Sequence, residues 1–244
     1  MNKFKIIAFT HKTTDLKEIG KLYIEESQIK ERLHHLKSCL GLEELMCLST
    51  CNRIEFLFST TRKIDNSFLE GFFKAFSPDW SEDNIKRVIE HAVIFEGENA
   101  LRHLFNVASS LDSMVVGERE IITQVRNAYE RSAQFGLTGD LIRLIIERTI
   151  QTAKQVYTDT NIAKNPVSVV SLAYRKLKEM NGFLNTRFLI IGAGQTNTTM
   201  ARYLKKHGYN DFTIFSRTLA NAEKLAKELN GKAFELSRLP DYKK

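Results

Sequence analysis

Cysteine is scarce in this sequence. Its 244 residues contain three cysteines, Cys39, Cys47 and Cys51. An odd number without a framework spacing argues against a secreted, disulfide-bonded fold, so we expect a reducing, cytoplasmic location. The nearby His34 and His35 do not complete the usual ligand spacing of a zinc site, and no metal site is predicted.

Long hydrophobic runs are also missing. No segment is long enough to cross a bilayer, and the apolar stretch at the N-terminus is too short for a signal peptide, so no membrane partner is expected. The sequence has no zinc finger, RNP-type aromatic pair or arginine-rich tail. Its net charge of +7 nevertheless favours polyanionic partners, including nucleic acid.

Hydrophobic periodicity indicates several successive parts. Strand-like and helix-like segments alternate to residue 95, which predicts a small α/β sandwich over 1–95. Residues 96–160 read almost entirely as helix, and the two parts together are predicted to form one α+β catalytic domain. Asn165-Pro166 predicts the start of a helix that connects two domains over 161–182.

Residues 183–244 have the βαβαβ order of half a doubly wound dinucleotide-binding domain, a partial Rossmann fold. The fold class predicted for the chain is therefore α/β. The first strand enters a glycine turn whose backbone can approach a pyrophosphate at a helix N-terminus. This predicted cofactor site consists of Gly192, Ala193, Gly194, Gln195, Thr196 and Asn197, and Asn197 replaces the third glycine of the fingerprint.

The end of the second strand indicates which nucleotide binds. NAD-specific domains carry an acid there for the ribose hydroxyls, whereas this chain has Ser216 and Arg217. An arginine with hydroxyl neighbours suits a 2′-phosphate, so the predicted cofactor is NADPH. The alternative for Arg217 is a solvated surface charge.

Cys51 lies between two strand-like runs, in the segment Leu48–Arg53. A thiol at a strand end is held firmly and can still reach solvent, and neighbouring positive charge such as Arg53 favours its reactive thiolate. Cys51 is therefore a candidate nucleophile. The alternative is a small buried cysteine near a turn.

A candidate acid or base, His103, lies on a helix but off its apolar stripe. It is either solvated or directed into a cleft. Ser113 and Glu118 mark a break before the next helix, on which Glu120 and Gln124 share a face at i, i+4 spacing.

Four motifs, in this order, resemble those of glutamyl-tRNA reductases: Leu48–Arg53, Ser110–Ser113, Gly117-Glu118 and Gly192–Gly194. The resemblance implies NADPH-dependent reduction of glutamyl-tRNA(Glu) to glutamate-1-semialdehyde with release of tRNA. This reaction is the first step toward tetrapyrroles such as haem. The nucleophile would be Cys51, which would form a thioester with the glutamyl group.

The resemblance also implies individual roles. Arg53 would bind the substrate carboxylate, Glu118 its ammonium group, and His103 would orient the carbonyl or leaving oxygen. Glu120 departs from the glutamine expected in many members. The whole implied substrate site is Thr50, Asn52, Arg53, Ser113, Glu118, Arg119, Glu120 and Gln124.

Members of the family continue into a helical dimerisation domain, which this sequence lacks. We therefore expect a C-terminally truncated chain of a homodimeric enzyme. The aminomutase that takes the product is a further expected partner.

Two other functions fit the residues. In the first, Cys51 and His103 form the dyad of an acyl-transferase or hydrolase, and the glycine turn is structural. In the second, the protein is a non-catalytic RNA-binding module. Aldehyde formation separates the first from a reductase, and an activity insensitive to loss of the Cys51 thiol would indicate the second.

Overall fold

In this computed structural model, the structure describes residues 2–113, 115–163, 169–179 and 186–242. The chain divides into two compact units, residues 1–166 and 167–244. No helix within the described ranges combines the length and apolarity needed to cross a membrane.

The first unit is built on one antiparallel sheet. Its strands are β1 (Phe4–Thr10), β2 (Glu44–Ser49), β3 (Arg53–Ser59) and β4 (Val93–Glu96), in the order β2-β3-β1-β4. Every residue of β1 and β3 is buried, which shows that both faces of the sheet are covered. The strands predicted from alternating and continuous apolar runs are thereby confirmed.

Four helices pack on one face of this sheet, over a core rich in phenylalanine. Phe56, for example, meets the rings of Phe72 and Phe76 edge-on at centroid distances of 5.2 and 5.3 Å. Such pairs add about 0.5–1.5 kcal/mol to the free energy gained from burying the rings. These helices are α1 (Leu16–Lys21), α2 (Ile29–Leu40), α3 (Asn66–Phe76) and α4 (Glu82–His91).

Three helices cover the opposite face. They are α5 (Gly97–Ala108), α6 (Glu120–Gln134) and α7 (Asp140–Asp159), followed by a short 3₁₀ turn, Asn161–Ala163. Their apolar stripes were predicted from the sequence. Their packing against the second face of the same sheet, which brings α5 over β1, was not.

A carboxylate on the sheet holds the start of α7. Glu44, at the beginning of β2, accepts hydrogen bonds from the amides of Gly139, Leu141 and Ile142 at 2.7, 3.1 and 2.9 Å. These amides have no partner within the helix, and the positive end of the helix dipole favours the negative charge. The contact joins two elements that are almost 100 residues apart in the chain.

Helix starts differ from the sequence prediction at two places. The six-residue helix α1 was not predicted, because one turn and a half carries little periodicity. Serine is a common N-cap residue, and the sequence predicts Ser27 as the cap of α2. The helix instead begins after Gln28, without a side-chain cap, so this prediction is wrong. Ser81 does cap α4 and accepts from the Asn84 amide at 3.3 Å. The predicted helix start at Asn165-Pro166 lies outside the described residues.

The second unit has a parallel sheet in the order β5-β6-β7, as the βαβαβ pattern predicts. The helix α8 was predicted as a connector, but it belongs to this unit and packs against α9. The elements are α8 (Val169–Glu179), β5 (Arg187–Ile191), α9 (Gln195–Lys206), β6 (Asp211–Ser216), α10 (Leu219–Leu229), β7 (Lys232–Glu235) and a 3₁₀ turn, Leu236–Arg238.

Candidate active site

Cys51 lies at the tip of the β2–β3 hairpin, and its side chain is exposed. The Thr50 amide donates to the Arg53 carbonyl at 2.9 Å and closes the turn. The Thr50 hydroxyl accepts from the amides of Asn52 and Arg53, both at 3.2 Å. The turn is thus fixed from within, and the thiol stands on a rigid support in contact with solvent.

The environment of the thiol is acidic. Partial desolvation is the main cause that raises the pKa of Cys51. A backbone hydrogen bond lowers this pKa in part, and the charges of Glu118 and Glu120 each add a smaller rise. The expectation that Arg53 would favour the thiolate is therefore wrong. Its guanidinium is buried and engaged by other acids.

Arg53 and Glu55 point to the same face of β3, because they are two residues apart in a strand. They form a buried ion pair: Arg53 Nη1 lies 2.7 Å from Glu55 Oε1, and the side chains are 3% and 0% exposed. The other carboxylate oxygen, Oε2, lies 3.0 Å from Nε2 of His103 on α5. Burial would raise the pKa of Glu55, but the hydrogen bonds and charges of His103 and Arg53 outweigh it and lower this pKa.

The His103 ring is fixed on two sides. It stacks on Phe95 at a centroid distance of 4.0 Å and an interplanar angle of 10°, and its Nε2 is bonded to Glu55. Because Glu55 is ionised it can only accept, so Nε2 carries the hydrogen. In the neutral ring, Nδ1 is then the nitrogen with a free lone pair.

Asp112 connects this buried pair to the surface. Its carbonyl oxygen and its Oδ2 accept from Nη2 of Arg53, the latter at 3.3 Å, and its Oδ1 accepts from Nζ of Lys12. Burial would raise the pKa of Asp112, but the hydrogen bond from Lys12 and the charges of Arg53 and Lys12 lower it. These contacts form one continuous network of ion pairs and hydrogen bonds, hereafter the ion-pair network. Its members are Lys12, Asp112, Arg53, Glu55 and His103.

The segment that carries Asp112 is held by its own backbone contacts. The Ser110 hydroxyl donates to the Val115 carbonyl and accepts from the Gly117 amide, both at 3.1 Å. Gly117 has φ +88°, and a Cβ there would lie 2.4 Å from the carbonyl oxygen of Ile162. Only glycine fits this position, so the Gly117-Glu118 motif has a steric cause.

A cleft of about 440 Å³ opens beside the ion-pair network. It is formed by β1, β4, α5 and the Asp112 segment, and its lining combines apolar and polar side chains, with His103 at one wall. The residues that matter here are Thr10, Lys12, Thr13, Phe95, His103 and Asp112. Cys51 does not line this cleft.

The predicted nucleotide turn has the geometry that its sequence indicates. Gly192 has φ +93°, which favours glycine, and a Cβ on Gly194 would meet open space. The Asn197 side chain donates to the carbonyls of Ile191 and Gly192 at 2.8 and 2.9 Å and braces the turn, which accounts for its presence in place of glycine. No side chain caps the start of α9, so its first amides can bind a phosphate.

At the end of β6, Ser216 is buried and Arg217 is exposed. The carboxyl end of this strand lies beside that of β5, because the two strands are parallel and in register from Arg187 to Ile191. Arg217 therefore follows β6 at the same edge of the sheet as the glycine turn that follows β5.

Comparison with known proteins gives consistent results. A family model for the N-terminal domain of glutamyl-tRNA(Glu) reductase matches residues 7–160, and one for shikimate/quinate 5-dehydrogenase matches residues 171–244. The chain belongs to the glutamyl-tRNA reductase family. The second unit has the Rossmann-like fold of a dehydrogenase.

Individual members of the glutamyl-tRNA reductase family match nearly the whole chain. It is 34% identical to the reductase of Syntrophus aciditrophicus, over 98% of this chain and 56% of that protein. Identity to the reductase of Geotalea uraniireducens is 33%, over 97% of this chain and 54% of that protein. The solved glutamyl-tRNA reductase from Methanopyrus kandleri matches with TM-score 0.62 and 29% identity, over 99% of this chain and 56% of that one. The chain thus spans about half the length of the relatives it matches.

The residues implied by resemblance to glutamyl-tRNA reductases fall into two groups in the structure. Arg53 and His103 are joined through Glu55, whereas Cys51 lies in the field of Glu118 and Glu120. Among the described contacts, none joins Cys51 to His103, which the dyad hypothesis required.

The other predicted substrate residues have separate contacts. Arg119 lies over the Tyr157 ring at 5.7 Å, and the Tyr157 hydroxyl donates to the Glu118 carbonyl at 2.8 Å. The Asn52 carbonyl accepts from the amide of His11. Ser113 and Gln124 are both partly exposed, so each is available to a ligand.

Sequence reasoning assigned no role to Lys12, Glu55 or Asp112. One signal was present for Glu55: it lies two residues after Arg53 in an otherwise apolar strand, and two opposite charges on one buried face must pair. Asp112 and Lys12 are 59 and 41 positions from Arg53, and no local pattern connects them.

The three thiols should react very differently with iodoacetamide. We expect Cys39 and Cys51 to react in the native protein, and Cys47 only after unfolding, since burial raises the pKa of Cys47 to about 12. The rate at Cys51 should rise with pH, with a midpoint above that of an unperturbed thiol. Mass spectrometry at a series of pH values measures this, with Cys51→Ser as the control. A midpoint below that of a free thiol would contradict the acidic environment described above.

Proposed function

We propose that the protein reduces the glutamyl ester of tRNA(Glu) with NADPH to glutamate-1-semialdehyde and releases the tRNA, as the first step toward tetrapyrroles. The observation that carries this proposal is the exposed thiol of Cys51 on its braced hairpin, in a chain of this family. A thiol is the side chain able to form a thioester, which accepts hydride more readily than an ester does.

The first step is acyl transfer to sulfur. The Cys51 thiolate attacks the ester carbonyl carbon, a C–S bond forms, and the ester C–O bond breaks. The tRNA leaves with a free ribose hydroxyl after its oxygen takes up a proton. The product on the protein is a glutamyl thioester.

The carboxylates near the thiol make formation of the thiolate depend on the bound substrate. Partial burial, with smaller contributions from the charges of Glu118 and Glu120, raises the pKa of Cys51 in the free protein. The ammonium group of the bound glutamyl ester would lie among these carboxylates and offset their field, since opposite charges attract most strongly where water is displaced. The thiolate is then favoured once substrate is present.

The ion-pair network would hold the side of the substrate that carries its carboxylate. Arg53 is only 2% exposed, with both terminal nitrogens in use, so a substrate carboxylate reaches it by exchanging with that of Asp112. Lys12 is half exposed and offers the outer contact. His103 would accept a hydrogen bond from a polar group of the substrate through Nδ1, because its Nε2–H is donated to Glu55.

The cofactor of the proposal is NADPH. When bound, it would supply the hydride that releases the thioester as the aldehyde. The glycine turn Gly192–Gly194, the first amides of α9 and the Arg217 guanidinium are the groups that would hold its phosphates. A cytoplasmic location, a homodimer and transfer of the product to an aminomutase belong to the same proposal and are supported by the family alone.

Incubation with glutamyl-tRNA(Glu) tests this function. The protein is mixed with charged or uncharged tRNA, and with NADPH, NADH or no nucleotide, and is then quenched in acid and digested. We expect a glutamyl adduct on Cys51 with charged tRNA only, and aldehyde with NADPH in preference to NADH. An adduct on another residue, or aldehyde without an adduct, would contradict the mechanism. Ester hydrolysis with no aldehyde under any condition would favour the hydrolase.

A further inference from the structure

Positive charge is concentrated in the second unit. Residues 167–244 contain 14 Lys and Arg against 6 Asp and Glu, a net charge of +8. Residues 1–166 contain 22 Lys and Arg against 23 Asp and Glu, a net charge of −1. The attraction for polyanions that the whole sequence suggests therefore arises in the second unit.

An aromatic cluster lies at the seam between α8 and the end of α9. His207 stacks on Tyr174 at a centroid distance of 4.4 Å and lies 4.6 Å from Tyr203, and the two tyrosines meet edge-on at 5.3 Å. His207 is exposed, and both tyrosines are partly exposed. The three rings thus contact one another and remain at least partly accessible to solvent.

Two lysines flank these rings. Lys178 follows Tyr174 by one helical turn on α8, and Lys206 follows Tyr203 by three residues on α9, so each lies beside its ring. Both are exposed, and neither has an ion-pair partner among the residues that the structure describes. The α8–α9 surface, defined as Tyr174, Lys178, Tyr203, Lys206 and His207, thus combines unneutralised cations with accessible rings.

This surface is distinct from the nucleotide turn. The turn adjoins the first residue of α9, whereas Lys206 is the last of its 12 residues, which places the two about 17 Å apart along the helix. The cofactor phosphates therefore do not account for the lysines.

We propose that the α8–α9 surface binds RNA, with Lys178 and Lys206 on backbone phosphates and the exposed His207 ring beneath an unpaired base. Cations that follow the backbone together with rings that stack on bases are the combination by which proteins hold single-stranded nucleic acid. A simple anion would not engage the rings, whereas RNA uses the lysines and the rings together. That this RNA is the substrate tRNA rests on the proposed function.

Uncharged tRNA(Glu) is the probe, because it binds without reacting. Fluorescence anisotropy is measured from 50 to 300 mM KCl for the wild type, for Lys178→Glu with Lys206→Glu, and for His207→Ala. We expect the double variant to bind at least about tenfold more weakly and to lose about two units from the slope of log K against log salt. His207→Ala should weaken binding about tenfold with an unchanged slope, because stacking involves no counterion.

The matched control reverses two other cations of the same unit, Lys232→Glu with Arg238→Glu. Both are exposed and lie on or just after β7, at the opposite edge of the sheet from β5. The net charge changes equally, so a general field effect would weaken the two double variants alike, which would overturn the proposal. Thermal unfolding and NADPH titration show whether each variant is folded.

The two proposals fail separately. If the Cys51 adduct and the aldehyde form as expected but the α8–α9 variants bind tRNA like the wild type, the surface assignment is wrong and the function stands. If the variants weaken tRNA binding but no adduct or aldehyde forms, the function is wrong and the RNA surface stands.

Discussion

Replacing Cys51 with serine should abolish the glutamyl thioester and lower aldehyde formation by at least about 10³-fold. The serine oxygen would occupy the same place on the braced hairpin, but its proton is far harder to remove, and the acidic surroundings make an anion there still less favourable. The measurement is aldehyde formation in single turnover, together with trapping of the acid-quenched adduct. Binding of uncharged tRNA should not change, since the proposed role of the sulfur atom is in acyl transfer and not in tRNA binding.

Cys39→Ser is the matched control. The thiol of Cys39 is also exposed, and it lies on α2 with His35 as its neighbour at 3.5 Å. This substitution should leave adduct and aldehyde at wild-type levels. Equal loss in both variants, or full activity in Cys51→Ser, would remove Cys51 from the mechanism.

Glu55→Ala should destabilise the protein by about 3–5 kcal/mol, the effect expected when one member of a buried ion pair is removed. Glu55 is fully buried and is the carboxylate on which both Arg53 and His103 depend. Its loss leaves a guanidinium in the sheet core with only Asp112 as acidic partner. The measurement is urea-induced unfolding at pH 7, with Glu55→Gln as a second variant that keeps the shape and removes the charge.

Glu98→Ala is the control for this prediction, because Glu98 also pairs with an arginine, at 3.1 Å, but on the exposed side of α5. It should change the free energy of unfolding little, as surface pairs do. The pH dependence gives a further check. The folded pKa of Glu55 lies below its unfolded value, so its contribution is present above about pH 4.3 and is lost as pH falls through the folded pKa. The variants should therefore lose less stability in acid than the wild type. Equal stabilities for Glu55→Ala and Glu98→Ala would contradict the buried role.

Much of the fold was predictable, because its elements carry strong local periodicity. The described elements after residue 186 have the βαβαβ order that the sequence predicts for residues 183–244. The apolar run that follows Arg187 and ends at Ile191 leads directly into the glycine turn, so the two together locate the strand and the start of the next helix in the sequence. Predictions were incorrect or missing where local signals are weak, as in the six-residue α1, and where tertiary packing decides, as in the placement of α5 to α7 on the second face of the sheet.

The site was predictable only in part, for a related reason. Cys51 could be located because a hairpin tip is a local structure. The environment of the thiol could not, since Glu118 and Glu120 approach it from some 70 residues away. The proximity of Arg53 in sequence was misleading: alternation along β3 directs its side chain to the face shared with Glu55, and distant segments supply His103 and Asp112.

If the site binds a substrate carboxylate as proposed, Asp112 also affects how it selects among anions. Its carboxylate is covalently tethered beside Lys12 and Arg53, so it competes at an effective concentration of about millimolar or higher. Chloride and other small diffusing anions gain little by displacing it, because each offers a single attachment. A ligand that binds at several points loses its freedom of motion only once, so its further contacts can outcompete the tethered Asp112 carboxylate. The site thus discriminates by the number of simultaneous attachments rather than by charge alone.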